Sequence, residues 1–368
     1  MTKPLLSIVI PTRNREFYCK EAIHHILSFN DANFELVIYD NSDSEELTKE
    51  CNSIADDRLR YYKIDGRRNF VLLFDDAISV SQGRYVILIG DDDTVLPNIT
   101  AIAQWAYKND IPAVTPKLSY GFLWNLNGGA GGKLICHGAS DKIKILTAKK
   151  QLEILLKNGI IQYDDYDLPR VYHGLMSRDI LERIKEKTGH YVGGLSPDLY
   201  LSVASCFWVD EYAKVEFPFS LPGACKKSAS VGNPRGKFED MPHLWHRGEY
   251  QWNDLIPRYN SAQTIWAETA LKAIEENDMS GYYTRLFDRK LFLTAFRLQN
   301  LDKRDEIDNY LPNYKFVYHN RLLRYYYRLF CKKTISLINI IKRERRVFEI
   351  VKSWEEIDNI ISSRLCYK

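Results

Sequence analysis

Three consecutive aspartates, Asp91, Asp92 and Asp93, close the run RYVILIGDDD from Arg84 to Asp93, and Pro97 follows them. Adjacent carboxylates repel one another unless solvent, protonation or a cation relieves them. Hard oxygen ligands of this kind suit Mg2+ or Mn2+ bridging to the diphosphate of a substrate. A solvated acidic turn is the plain alternative. The stretch that must carry these residues, Tyr85 to Ile89, is an unbroken apolar, β-branched run. Such runs are buried on both faces of a parallel sheet, and ligands of open α/β sheets collect at the carboxyl ends of the strands. The three carboxylates therefore fall at a ligand-binding edge.

The preceding residues supply the rest of that sheet. Leu5 to Ile10 reads as a first buried strand, ended by Pro11-Thr-Arg-Asn-Arg15 before a helix over residues 16–29. A second strand, Phe34 to Tyr39, ends in Asp40-Asn-Ser-Asp43; Leu59 to Ile64 is a third, and Phe70 to Ser81 is the helix leading through Gly83 into the acidic strand. This alternation implies an α/β fold with a mostly parallel sheet and right-handed crossovers. The first loop has no glycine, so the cradle of an NAD or FAD fold is missing.

Three spaced motifs, in order, resemble those of the family 2 glycosyltransferases with the GT-A fold, of the bacterial polysaccharide and glycolipid type. They are SIVIPTRNR (residues 7–15), ELVIYDNS (35–42) and GRYVILIGDDD (83–93). The resemblance implies an inverting, metal-assisted single displacement that moves a sugar from a nucleotide-diphosphate donor to a hydroxyl of a saccharide or lipid-linked saccharide acceptor. It makes Asp40 the acceptor for N3 of uracil, which favours a UDP-sugar. It lines the nucleotide with Pro11, Thr12, Arg13, Asn41, Arg68 and Asn69, gives Asp91 the ribose, and gives the metal, Mn2+ or Mg2+, to Asp92 with Asp93 in support. Arg67 and Arg68 could equally be a solvated basic turn. Gly90 stands where many members carry the first aspartate of an Asp-x-Asp-Asp pattern.

Further along, Val171 to Arg178 and the helical stretch 179–187 resemble the acceptor-side strand and helix of the same family, and Gly193-Gly-Leu-Ser-Pro-Asp198 follows. The resemblance makes Asp198 the catalytic base. Deprotonating an acceptor hydroxyl needs a carboxylate within hydrogen-bond reach. The structural alternative is a first-turn residue after Pro197, for which Asp is well suited. Asp164, Asp165 and Asp167 are rival carboxylates that read as a polar loop. The expected organisation is a nucleotide-sugar half over residues 1–105, an acceptor half over 106–234 and a helical C-terminal region over 235–368.

Two other enzyme-level readings compete. Asp91 to Val95 also fits the D-x-D-x-T/V nucleophile motif of haloacid-dehalogenase-like phosphatases, with Asp91 attacking phosphorus and Asp93 as acid and base. That motif normally opens its domain, and here roughly ninety residues with their own sheet signals precede it. A catalytically silent sugar-nucleotide-binding or scaffold protein is the third reading.

With 368 residues, 45% hydrophobic content and a net charge of +3, the chain can bury a large core and has no global basic excess for nucleic acid. No apolar run reaches the ~20 residues of a membrane span, and the N-terminus reads as a strand rather than a signal peptide. The expectation is a cytoplasmic protein. Seven cysteines without a C-x-x-C pair indicate free thiols. Asn127 to Gly132 (NGGAGG) lacks the Lys and Ser/Thr of a P-loop and reads as a loop or hairpin tip. His243 or His246 could complete the metal site. Long helices are expected over 262–277 and 282–299. Between Lys315 and Arg346, ten Lys or Arg stand against one Glu, interleaved with apolar residues at helical spacing. That pattern would lie on an anionic surface at the inner face of a membrane, or simply pack on the enzyme.

Overall fold

A computed structural model describes residues 3–118, 120–125, 131–136, 138–228, 250–259, 261–308, 320, 323–327, 329–331, 334 and 346–365. Four strands, β1 (Leu6–Thr12), β2 (Phe34–Asp40), β3 (Leu59–Lys63) and β4 (Tyr85–Leu88), run parallel in the order β3-β2-β1-β4. The side chains explain this sheet. Ile8, Ile10, Leu36, Ile38 and Ile87 fill one face while Val9, Val37, Val86 and Leu88 fill the other, so β1, β2 and β4 are buried on both sides, and β3 at the edge is partly buried. The helices α1 (Glu16–Leu27), α2 (Glu46–Ser53) and α3 (Phe70–Val80) connect the strands. The boundaries of the four strands, α1 and α3 lie within one or two residues of the sequence expectation, whereas α2 was not expected.

Beyond β4 the mostly parallel sheet takes in antiparallel strands. A short strand, β5 (Thr94–Val95), and α4 (Ile99–Lys108) lead to β6 (Ala113–Pro116). The hairpin pair β7 (Tyr120–Trp124) and β8 (Gly132–Cys136) is antiparallel, so the glycine-rich stretch joins two hairpin strands; residues 126–130 lie outside the described set. The strand β9 (Ile143–Thr147) and helix α5 (Ala148–Lys157) precede β10 (Leu175–Ser177), and β11 (Glu211–Val215) follows. β10 runs antiparallel to both β4 and β6, and the full order is β3-β2-β1-β4-β10-β6-β11-β9. Between β10 and β11 lie α6 (Arg178–Thr188) and α7 (Pro197–Ser205).

The C-terminal region is helical but not separate. The helix Ala262–Asn277 packs on α7. The single helix expected over 282–299 is two, Tyr282–Leu286 and Arg289–Gln299. Asp288 breaks them because its side chain accepts from Leu291 N and caps the second. A late strand, β12 (Arg346–Val351), was not expected; it pairs with β8, and the helix Trp354–Leu365 then lies over the acceptor-side hairpin and α1. His25 on α1 joins this helix to the acidic strand: one ring nitrogen meets Thr94 Oγ1 at 2.7 Å and the other meets Asp358 at 2.8 Å. His243, His246 and most of the basic stretch 315–346 lie outside the described residues.

Candidate active site

The acidic edge forms where β4 ends. Ile89 continues the strand's hydrogen bonding to Val9 O, and Gly90 turns the chain so that all three aspartates are buried beyond the sheet. Burying three carboxylates demands compensation. Each finds a different one.

Asp93 is fully engaged. Its Oδ2 accepts from Gly90 N at 2.7 Å, Tyr172 Oη at 2.8 Å and His173 Nε2 at 3.2 Å, and its Oδ1 from Gly223 N at 2.6 Å. Burial alone would raise its pKa, but His173 and these donors outweigh it and hold the carboxyl below its ordinary value. Three donors reach Oδ2 and one reaches Oδ1, so Asp93 braces the acidic edge from behind.

Asp92 is anchored from behind by Cys225 N at 3.2 Å and by Ser228 Oγ, and its carbonyl accepts from Trp124 Nε1 at 2.8 Å. Gly223 passes so close that a Cβ there would overlap the Asp92 carbonyl. Asp91 accepts from Thr12 Oγ1 at 2.6 Å on one oxygen; its other oxygen has no hydrogen-bond donor within good geometry and faces the Arg15 guanidinium at 2.7 Å. Burial pushes the Asp91 carboxyl up, and despite the opposing pull of Arg15 and Thr12 it stands at about 7. Arg15 also reaches Asp92 Oδ1 at 3.1 Å, so one guanidinium bridges the two carboxylates.

Gly90 has a physical reason. A Cβ there would press on the Tyr172 hydroxyl and on the carboxylates of Asp93 and Asp92. Tyr172 thus fills the space in which many family members would place an aspartate. Neither Tyr172 nor His173 was singled out from the sequence, although both lie in the segment taken as the acceptor-side strand. His173 has φ of +60°, a strained backbone for a histidine, and its Nδ1 is buried without a hydrogen-bond partner.

The expected nucleotide residues gather beside this edge. Pro11 and Thr12 end β1, buried. Arg13 pairs with Asp43 at 3.2 Å. Asp40 is wholly buried: Oδ1 accepts from Ser42 N at 2.7 Å, and Oδ2 from Tyr61 Oη at 2.8 Å and Lys63 Nζ at 3.4 Å. These three partners hold the carboxylate in the turn that closes β2. Asn41 is a second support, donating to Ile64 O and Gly66 O and accepting from Arg68 N. The Arg68 side chain is exposed beside Asp76, and Asn69 caps α3 by accepting from Leu72 N at 2.9 Å.

On the acceptor side, Asp198 stands half-buried in the first turn of α7, behind Pro197 and the N-cap residue Ser196. Its Oδ1 accepts from Ser196 Oγ at 2.5 Å. Burial raises its pKa to about 6, with the backbone amides of the helix start opposing the rise. Among the rivals, Asp164 and Asp165 sit on an exposed turn and Asp167 pairs with Lys214.

The fit to a divalent cation can be judged from this donor set. Among the described residues, no three His, Cys, Asp or Glu side chains converge as a closed metal cage. Mg2+ and Mn2+ with nucleotide substrates do not need one; one or two carboxylates suffice when phosphate oxygens complete the shell. Asp92 Oδ1 and the under-bonded Asp91 Oδ1 supply that pair, and a cationic group already lies between them.

Residues 7–123 match the family described as Glycosyl transferase family 2. The chain carries a family 2 glycosyltransferase domain. The chain resembles WcaA of Escherichia coli (strain K12), named as a putative colanic acid biosynthesis glycosyl transferase, at 33% identity over 97 residues, 26% of this chain and 35% of that one. It also resembles the glycosyltransferase GlyG of Streptococcus pneumoniae serotype 4, at 26% identity over 30% of this chain and 38% of that one. The chain thus spans little more than a third of the length of these relatives. Its structure superposes on that of S. aureus TarS 1-349, solved in complex with UDP-GlcNAc, with a TM-score of 0.50 and 10% identity, covering 84% of this chain and 76% of that one. That likeness establishes the GT-A fold. The phosphatase reading loses its footing: the acidic strand lies inside a glycosyltransferase domain, and Asp93 is too heavily bonded to exchange a proton.

Proposed function

We propose that this glycosyltransferase moves a sugar from a nucleotide-diphosphate donor, favoured as a UDP-sugar, to a hydroxyl of a saccharide or lipid-linked saccharide, by one inverting displacement. The observation that carries this reading is the pair of buried carboxylates, Asp91 and Asp92, facing a cation at the carboxyl end of β4. The structural neighbour's UDP-GlcNAc supports a nucleotide-sugar donor. In role, residues 1–105 serve the nucleotide, 106–234 the acceptor and 235–368 brace both.

The donor base packs beside Pro11 and Thr12, in a pocket whose floor is stiffened by Asp40 and Asn41, with Arg13, Arg68 and Asn69 along its rim. Asp92 would hold Mn2+ or Mg2+ with Asp93 in support, and Asp91, expected at the ribose, would lend its open oxygen to the same ion, which would supply neutralisation of charge on the departing diphosphate. Asp198 takes the proton from the acceptor hydroxyl as its oxygen bonds to the anomeric carbon and the bond to the diphosphate breaks. The N-terminus of α1, next to the acidic edge, adds a partial positive charge that favours an anionic group. Incubating the protein with UDP-sugars and Mn2+ tests the reading. Slow release of UDP and free sugar is expected, whereas turnover of para-nitrophenyl phosphate without it would restore the phosphatase, and neither activity would leave a binding protein.

The basic stretch is proposed to rest on an anionic membrane at the inner, cytoplasmic face. Among the described residues no helix is long and apolar enough to cross a membrane. Tyr325 is buried against Ile161, Leu291 and Ala295, whereas Leu323, Tyr326, Tyr327 and Phe330 are largely exposed. One face thus holds the enzyme and the other offers aromatics to an interface, amid the arginines and lysines of the sequence. Replacing Tyr326, Tyr327 and Phe330 together by Ser should lower binding to anionic liposomes at low salt by roughly tenfold or more while sparing donor hydrolysis. Unchanged liposome binding would refute the membrane reading.

A further inference from the structure

Arg15 bridges Asp91 and Asp92 at the acidic edge. Its guanidinium lies 2.7 Å from Asp91 Oδ1 and 3.1 Å from Asp92 Oδ1, and its remaining polar contact is Cys225 Sγ at 3.7 Å. These are the two oxygens that the other donors leave open: Thr12 takes the second oxygen of Asp91, and Cys225 N with Ser228 takes the second of Asp92. The arginine is aimed there by the backbone before it. Asn14 has φ of +56°, and it is locked in that conformation by Ser42 Oγ on its amide and by reciprocal hydrogen bonds between its side chain and Asp43. Arg15 is also the N-cap residue of α1, so it sits on the helix end that attracts anions.

We infer that Arg15 fills the cation seat in the donor-free enzyme and yields it only when a diphosphate arrives. The inference rests on the proposed function above. A divalent ion arriving alone must displace a cation already paired with both carboxylates, and among the described residues these are the only carboxylates the guanidinium contacts. A nucleoside diphosphate supplies another anion. The planar fork of arginine matches phosphate oxygens, so the guanidinium can leave the carboxylates for the diphosphate while the metal takes its place. The charge is exchanged rather than lost. Arg15 is therefore a positioning residue that makes metal binding depend on donor binding, and it guards the site against metal without substrate.

The test is a titration of Mn2+ followed by electron paramagnetic resonance of the free ion, with and without UDP, on the full chain carrying Arg15→Gln, Arg15→Ala or Arg15→Lys. Wild type should bind Mn2+ at least about tenfold more tightly with UDP than without it, as removal of a unit charge beside two carboxylates would predict. Arg15→Gln and Arg15→Ala should bind Mn2+ without UDP at least about tenfold more tightly than wild type. Arg15→Lys, which keeps the positive charge, should retain weak binding in the absence of UDP, an outcome a purely structural role would not give. If the neutral variants, folded by circular dichroism, bind Mn2+ no better than wild type, the gate is refuted while the function stands. If wild type binds no Mn2+ even with UDP, the metal-assisted function itself fails and takes the gate with it.

Discussion

Asp198→Asn is expected to lose roughly a hundredfold to ten-thousandfold in turnover while binding donor as wild type does, the range typical of removing a positioned general base. The substitution keeps the shape of the side chain and its contact with Ser196, so α7 should remain folded. The pH dependence gives a second signature. Burial raises the carboxyl from its ordinary 3.8 to about 6, and a base works only when ionised. Wild-type turnover should therefore fall as the pH drops through about 6 and level off above it, and the Asn variant should lack that limb. The sign for stability is opposite. Because the folded chain holds this proton more tightly, the group's contribution is fully present below pH 3.8 and is lost as pH rises through about 6. A variant with near-normal turnover would leave Asp198 as a helix-start residue and turn attention to the exposed carboxylates at 164–167.

Asp92→Asn should have an effect of similar size. The new side chain can still accept from Cys225 N and Ser228, but it removes one of the two charges that hold a cation. Loss of metal charge stabilisation is worth several kcal/mol, so about 4 kcal/mol, or roughly a thousandfold in donor turnover, is the expected loss. The thermal midpoint should move far less. If turnover persisted within a few fold and did not respond to EDTA, the acidic edge would not be a cation site.

The first hundred residues were legible because β1, β2 and β4 are buried on both faces and read as largely apolar runs. These strands fall where those runs predict, and the aspartates lie at the strand edge as the run itself requires. What the sequence did not disclose are relations across long separations. Tyr172 and His173 meet Asp93 from 79 and 80 positions away, and nothing local marks them except a histidine before Gly174. Arg15 was visible as part of a turn motif, but its bridge to Asp91 and Asp92 depends on a positive φ at Asn14 that no side chain announces. Asp40 is a similar case: its place at the end of β2 is legible, whereas its contacts with Tyr61 and Lys63 are not. The strand Arg346–Val351 had a legible signal, RVFEIV, that the basic residues before it obscured.

The most direct test of the account is calorimetric titration of UDP into wild type and Asp92→Asn, each with Mn2+ and with EDTA. The account predicts that wild type binds UDP with Mn2+, that EDTA weakens this binding by at least about tenfold, and that Asp92→Asn shows no such difference. Equal affinity under all four conditions, or no UDP binding by a folded wild-type protein in the presence of Mn2+, would contradict it.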